Sequence, residues 1–250
     1  GMFDIQKRHA FMIGIEWVDA KAQKTAKEAY DRLFNLKWTP PGRGLWMMGT
    51  KFIMERTGAG LFNCAFRSTR DIANKGGYLF AWMMDALMVG IGVGFDTLGA
   101  KSFTVKEPQW TNDTLIIEDS REGWVNSVHI LLDGFILGKK VPKFDYSAIR
   151  GKGEPIRGFG GTSSGPDPLI ELHSNLKELL EPKTGEQIES VDIVDIENLI
   201  GRCVVAGNVR RSAALAIGAY DDKSYLTMKN DHDKLYHHRW GSNNSFEAKV

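Results

Sequence analysis

Cysteine is nearly missing from this chain, which holds two, Cys64 and Cys203, in 250 residues. So few and so far apart, they cannot build a disulfide framework, and a structural zinc site would need more ligands at closer spacing. A reducing compartment follows as the expectation, with no metal centre. Long apolar runs are missing too. The stretch 78–84 is far shorter than the roughly 20 residues that span a bilayer, and the N-terminal residues lack a signal-peptide pattern. A cytoplasmic protein without membrane attachment is therefore expected. An excess of charge is also absent, since 32 Lys and Arg face 31 Asp and Glu. No overall field favours nucleic acid, and any anion site must be local. Finally, no Gly-Lys-Ser/Thr phosphate loop and no Gly-x-Gly-x-x-Gly after a strand is present.

What is present reads as a globular α/β chain with a proper core, 42% hydrophobic and 25% charged. In 19–35, Ala22, Ala26, Ala29, Leu33 and Phe34 recur at helical spacing among charged residues, which predicts an amphipathic helix. Two prolines and three glycines make 38–49 a loop, and its Trp and Met content suggests a covered one. A short buried strand is expected at 61–66 and a buried helix at 76–88. The run 90–96, GIGVGFD, is strand-like with glycines at alternate positions, so something approaches its backbone closely. Further helices are expected at 122–137, 169–180 and 192–205, and a strand at 213–217. Strands interleaved with helices give an α/β architecture with a helical N-terminal layer.

Four loops carry more glycine and arginine than a turn requires: 40–44, 90–94, 154–166 and 206–213. Glycine lets backbone N–H groups converge on an anion, and arginine offers a planar fork to phosphate. Nucleotide phosphates are one reading and ordinary turn chemistry the other. Cys64, in GLFNCAF, is equally open, because free cysteine is often a small core residue. Cys203 sits in a helical apolar run with no base nearby and reads as core.

The motifs NCAF around Cys64, GIGVGF, REGW at 121–124, EPIRGFGGTSSGPDPL, DIENLIGRCVVAGNVRRSAALAIG and WGSNNS at 240–245 occur in order. Together they resemble the adenosylcobalamin-dependent, class II ribonucleotide reductases. The long stretch between the glycine run and AGNVRRSA resembles the inserted arm of the triphosphate-reducing branch. The resemblance implies the first half of a ten-stranded α/β barrel behind an N-terminal helical layer. Domains are then expected at 1–60, the helical layer and covered loop, and at 61–250, the half-barrel, with an arm at about 102–190.

In that family a thiyl radical takes the hydrogen from C3′ of the ribonucleotide while two other cysteines supply reducing equivalents, and a glutamate assists proton transfer. By resemblance Cys64 is the first of the reducing pair. Asn63, Gly92 and Gly94 are implied at the substrate. The run 90–96 matches the start of a first specificity loop, and 207–212 matches a second. Gly207, Asn208, Arg210 and Arg211 are thus implied at a deoxynucleoside triphosphate effector. Asp71 falls where the family places an acid on the effector sugar, although a helix-capping aspartate is the plainer reading. The family's radical cysteine, its glutamate and the partner of Cys64 follow the SNNS motif, so this chain is expected to be a fragment, inactive alone. Adenosylcobalamin is the implied cofactor, its site completed outside these residues. Implied partners are a ribonucleoside triphosphate, the effector, a thioredoxin-like or dithiol reductant and the C-terminal half of the enzyme; neither membrane nor nucleic acid is among them. A nucleotide-binding regulatory module without catalysis is the alternative. An unrelated thiol enzyme is weaker, since His129, His173 and His232 lie in segments with no nucleophile motif.

Overall fold

The computed structural model describes residues 7, 10, 11, 14–156, 161–206 and 213–247. The chain divides into two compact units, 1–63 and 64–250.

In the first unit, α1 (Asp19–Phe34) forms where the helical spacing predicts it. It buries Ala22 and Ala29, while Phe34 is exposed and stacks on Tyr30 with ring centroids 5.8 Å apart. The expected covered loop at 38–49 is not a loop throughout: Gly42–Met47 forms α2. Pro40 and Pro41 precede the helix, where a missing N–H costs no hydrogen bond, so they start it instead of breaking it. The segment is covered only in part: Met47 is buried, but Leu45 and Trp46 are exposed. A π-helical turn (Phe52–Arg56) and a 3-10 turn (Gly58–Leu61) follow. Gly60 of the 3-10 turn packs closely on the π-helical turn: a Cβ there would lie 2.9 Å from Ile53 Cδ1.

The second unit opens with β1 (Cys64–Arg67), three residues later than the sequence suggests because 58–61 coil into the 3-10 turn. Next come α3 (Ile72–Lys75), α4 (Tyr78–Met88) and β2 (Gly92–Asp96). An excursion then builds β3 (Gln109–Ile116), α5 (Arg121–Leu137), β4 (Lys140–Asp145) and α6 (Asp167–Leu180). The chain returns through α7 (Ser190–Val205) to β5 (Ala214–Gly218), two short helices α8 (Lys223–Thr227) and α9 (His232–His237), and β6 (Ser242–Phe246).

Four strands make one sheet in the order β1-β2-β5-β6, every pair parallel. Parallel pairing demands crossovers, and α4, the excursion with α7, and α8 with α9 supply them. One face of the sheet is core: Val93, Phe95, Ala214 and Ala216 are buried. α4 packs on β1 and β2, and α7 packs on α4 and β5. α7 is buried nearly all round, as its apolar sequence requires.

The excursion is a separate βαβα layer, with β3 and β4 parallel and α5 crossing between them. α5 is well delimited: Ser120 Oγ accepts from Gly123 N–H at 3.0 Å, and Gly138 closes the helix at φ +71°. Neither β3 nor β4 was expected from the sequence. Their two-stranded sheet is polar on much of its surface, and Pro142 would exclude β4 from anything but an edge.

Candidate functional site

Side chains alternate across a strand and keep the same face along each row of a parallel sheet. In register, Cys64 lies beside Gly92, and Phe66 beside Gly94, Leu215 and Asn243. These residues share the face opposite Val93, Phe95, Ala214 and Ala216. That face is open: Phe66 is 54% and Leu215 39% exposed, and Cys64 and Asn243 are exposed as well. The opposite alternation takes Arg67 to α4, where its guanidinium lies 5.6 Å from the ring centroids of both Tyr78 and Trp82.

Gly92 and Gly94 leave the middle of this face without side chains. A Cβ on Gly94 would stand 2.9 Å from Phe66 Cδ2, so the Phe66 ring already leans over the strand. Close approach is present at Gly94, and residues 92–96 form a paired strand, as the strand-like run suggests. Gly90, at φ +81°, forms the turn before it. The strand's far end is locked by Asp96. Its carboxylate accepts from the Thr69 backbone N–H at 2.8 Å and the Thr69 hydroxyl at 2.9 Å, which fixes the segment after β1 against β2.

Cys64 is a free, exposed thiol at the first position of β1, so the core reading of this residue does not hold. Cys203 is also free and is buried in α7; burial foremost, with Glu171 adding to it, pushes its thiol up to about 12. Asn63 is exposed and immediately precedes β1. Asp71 occupies the N-cap position of α3 yet makes no capping hydrogen bond; it stands 3.6 Å from Lys75 and is largely exposed. Gly207, Asn208, Arg210 and Arg211 lie outside the described residues. Arg121 of REGW pairs with Asp85 on α4 and, at 2.6 Å, with Glu122. Burial raises the Asp85 carboxyl and Arg121 opposes the rise, so this motif ties α5 to α4.

No sequence motif marks the charge cluster behind the sheet. Arg239, buried just before β6, forks onto Asp195 of α7 with both contacts at 2.7 Å. His238 Nε2 stands 3.0 Å from the same carboxylate. Burial acts to raise Asp195, but the Arg239 and His238 contacts outweigh it and hold the carboxyl below its usual value. Only an aspartate interrupting the apolar run of α7 could have signalled it.

An exposed thiol at the start of β1, beside the glycines of the parallel strand β2, defines an α/β domain with sulfur on an open sheet face. Comparison with known proteins narrows this. The family model "B12-dependent ribonucleotide reductase, insertion domain" matches residues 97–180, and "Ribonucleotide reductase alpha domain" matches 1–50. A probable adenosylcobalamin-dependent ribonucleoside-triphosphate reductase of Dictyostelium discoideum is 44% identical, covering 100% of this chain and 36% of that protein. The adenosylcobalamin-dependent ribonucleoside-triphosphate reductase of Euglena gracilis is 43% identical over 100% of this chain and 35% of its own length. A crystal structure of a B12-dependent (class II) ribonucleotide reductase superposes with a TM-score of 0.78 at 32% identity, over 94% of this chain and 40% of that one. The chain belongs to the B12-dependent ribonucleotide reductase family, and it spans about 36% of the length of the first of these relatives.

Proposed function

We propose that this chain forms part of an adenosylcobalamin-dependent reductase that converts ribonucleoside triphosphates to 2′-deoxyribonucleotides by thiyl-radical chemistry. The four parallel strands are then one portion of the ten-stranded barrel, and their open face is its interior wall. The observation that carries the reading is Cys64, exposed at the end of β1 beside Gly92 on that face. Over the glycines a flat substrate can approach the backbone; the resemblance also implies Asn63, the residue before Cys64, at the substrate.

Cys64 is one of the two reducing thiols. As the 2′-hydroxyl leaves as water, Cys64 and a second thiol each give up one proton and one electron and join as a disulfide. Ribonucleotide and two thiols thus yield deoxyribonucleotide, disulfide and water, and a dithiol or thioredoxin-like reductant restores the pair. Cys203 is not the second thiol, because it is buried within α7. Asp71 and the segment 207–211 serve the effector, and the cytoplasm is the compartment; among the described residues no helix is long and apolar enough to cross a membrane.

Adenosylcobalamin supplies the radical in such enzymes. Its site is completed by the remainder of the enzyme, and this chain contributes the reducing thiol Cys64.

The test is Cys64→Ser in the complete reductase. Turnover with a dithiol should fall by at least about a thousandfold, as expected on removing a covalent participant, while substrate binding persists. The 250-residue chain alone, given adenosylcobalamin, dithiol and ATP or CTP, should form no deoxynucleotide. Undiminished turnover by the variant would overturn the role of Cys64.

A further inference from the structure

The excursion layer holds a groove of about 460 Å³, within the range of roughly 300 to 1,000 Å³ that small-molecule sites occupy. Its walls come from both strands and one helix: Trp110 from β3, Lys143 and Phe144 from β4, Tyr146 just beyond, and Lys177 from α6. No carboxylate lines it. Neither lysine has a carboxylate within ion-pair distance among the described residues. Lys177 Nζ instead rests 4.8 Å from the centroid of the Trp110 ring, and Lys143 is exposed.

The aromatic wall is held from behind. His173, 2% exposed, lies with its ring centroid 4.6 Å from Phe144, and its Nδ1 is 2.7 Å from the Tyr146 hydroxyl. On its other side Nε2 is 3.1 Å from Ser127 Oγ of α5. Trp110 meets Phe135 of α5 edge to face at 6.3 Å. The rings are thus fixed by the core of the layer while the ammonium groups stay adaptable. Fixed rings lose little entropy on binding, and two cations without acids present a field that selects anions.

We propose that this groove is a binding site for a planar aromatic anion, its ring against the Trp110, Phe144 and Tyr146 wall and its charge at Lys143 and Lys177. A ring entering the groove replaces the Lys177 ammonium over Trp110, and the displaced ammonium meets the anionic group. A nucleoside phosphate and an aromatic carboxylate share this chemistry. The site is separate from the open sheet face, so it stands independently of the reductase reading.

Calorimetry on the 250-residue chain decides it, with AMP, adenosine, inorganic phosphate and anthranilate titrated separately. AMP or anthranilate should bind saturably, at least tenfold tighter than adenosine or phosphate alone. Lys143→Glu, a change at an exposed side chain that leaves the melting temperature intact, should weaken that binding at least tenfold. Lys177→Gln should do the same, and Arg210→Ala should leave it unchanged. Binding of AMP without anthranilate assigns a nucleoside phosphate, and the reverse assigns a carboxylate. Absence of binding by both, equal binding of phosphate alone, or affinity untouched by Lys143→Glu would overturn the proposal. Loss of binding in Arg210→Ala would also overturn it, by placing the ligand at the effector segment.

Discussion

Around Asp195 of α7 and His173 of the excursion layer, polar groups are tied to one another, whereas on the open face of the four-stranded sheet they are not. Asp195 is shared by Arg239 and His238, and His173 is held by Ser127 and Tyr146. Cys64 and Asn243, by contrast, are exposed and make no side-chain hydrogen bond among the described residues. The difference separates groups that hold the fold from groups free to meet a ligand. A buried ion needs its partners because desolvation would otherwise dominate. An exposed thiol or amide needs none, since water satisfies it until something displaces the water.

The sharpest way to break the comparison is to remove a partner on the tied side. Asp195→Ala leaves Arg239 buried without its counter-charge, with His238 beside it. Unfolding free energy should fall by about 3–5 kcal/mol, the usual cost of orphaning one member of a buried pair. Denaturant unfolding checks it. A loss under about 1 kcal/mol, the value for an exposed pair, would mean that the cluster is solvated and that the contrast fails.

A smaller effect belongs to His173. Burial, with Lys177 adding a like charge, lowers its pKa from 6.5 to about 3 in the fold. Below pH 6.5 the unfolded chain gains a proton there that the folded chain refuses, so stability falls as the pH drops and keeps falling until about pH 3. At pH 5 the loss relative to pH 7 is about 2 kcal/mol from this residue. The difference in unfolding free energy between pH 7 and pH 5 should shrink by about that amount in His173→Gln. An unchanged difference would show that the imidazole titrates freely and that the aromatic wall is not anchored by it.

The two sides of the comparison also differ in how far the sequence exposed them. Apolar pattern alone located α1, α4, α5, α6 and α7 and the strands β2 and β5, because each buries a long run or a regular stripe of apolar residues. It could not find β6, whose SNNSF would be poor strand material in isolation and is held by pairing with β5. Nor could it find β3 and β4, which serve a small sheet with little core to pattern. Pro40 and Pro41 misled, since a proline reads as a breaker unless its place at a helix start is known. At the site, the alternate glycines of β2 signalled close approach correctly, yet only the register shows that Gly92 stands beside Cys64 and Gly94 beside Phe66. The Asp195 cluster was hidden because its members are 44 residues apart and their meeting depends on the whole return path from α7 to β6.

The smallest expected effect separates the two cysteines themselves. Cys64→Ser replaces an exposed sulfur by an oxygen that water can solvate, and should change stability by no more than about 0.5 kcal/mol. Cys203→Ser places a hydroxyl in the core around α7, where lost packing and an unmet hydrogen bond should cost about 1–3 kcal/mol. Reactivity should divide in the same direction. Thiolate is the attacking species, and Cys203 is both enclosed and raised to about 12, so it stays protonated at neutral pH. A thiol reagent under native conditions should therefore label one equivalent, at Cys64, and a second only after denaturant is added. Peptide mapping of the labelled chain reads this directly. Labelling of Cys203 at a rate close to that of Cys64 would show that α7 opens as easily as the sheet face, and would erase the distinction between a core thiol and a presented one.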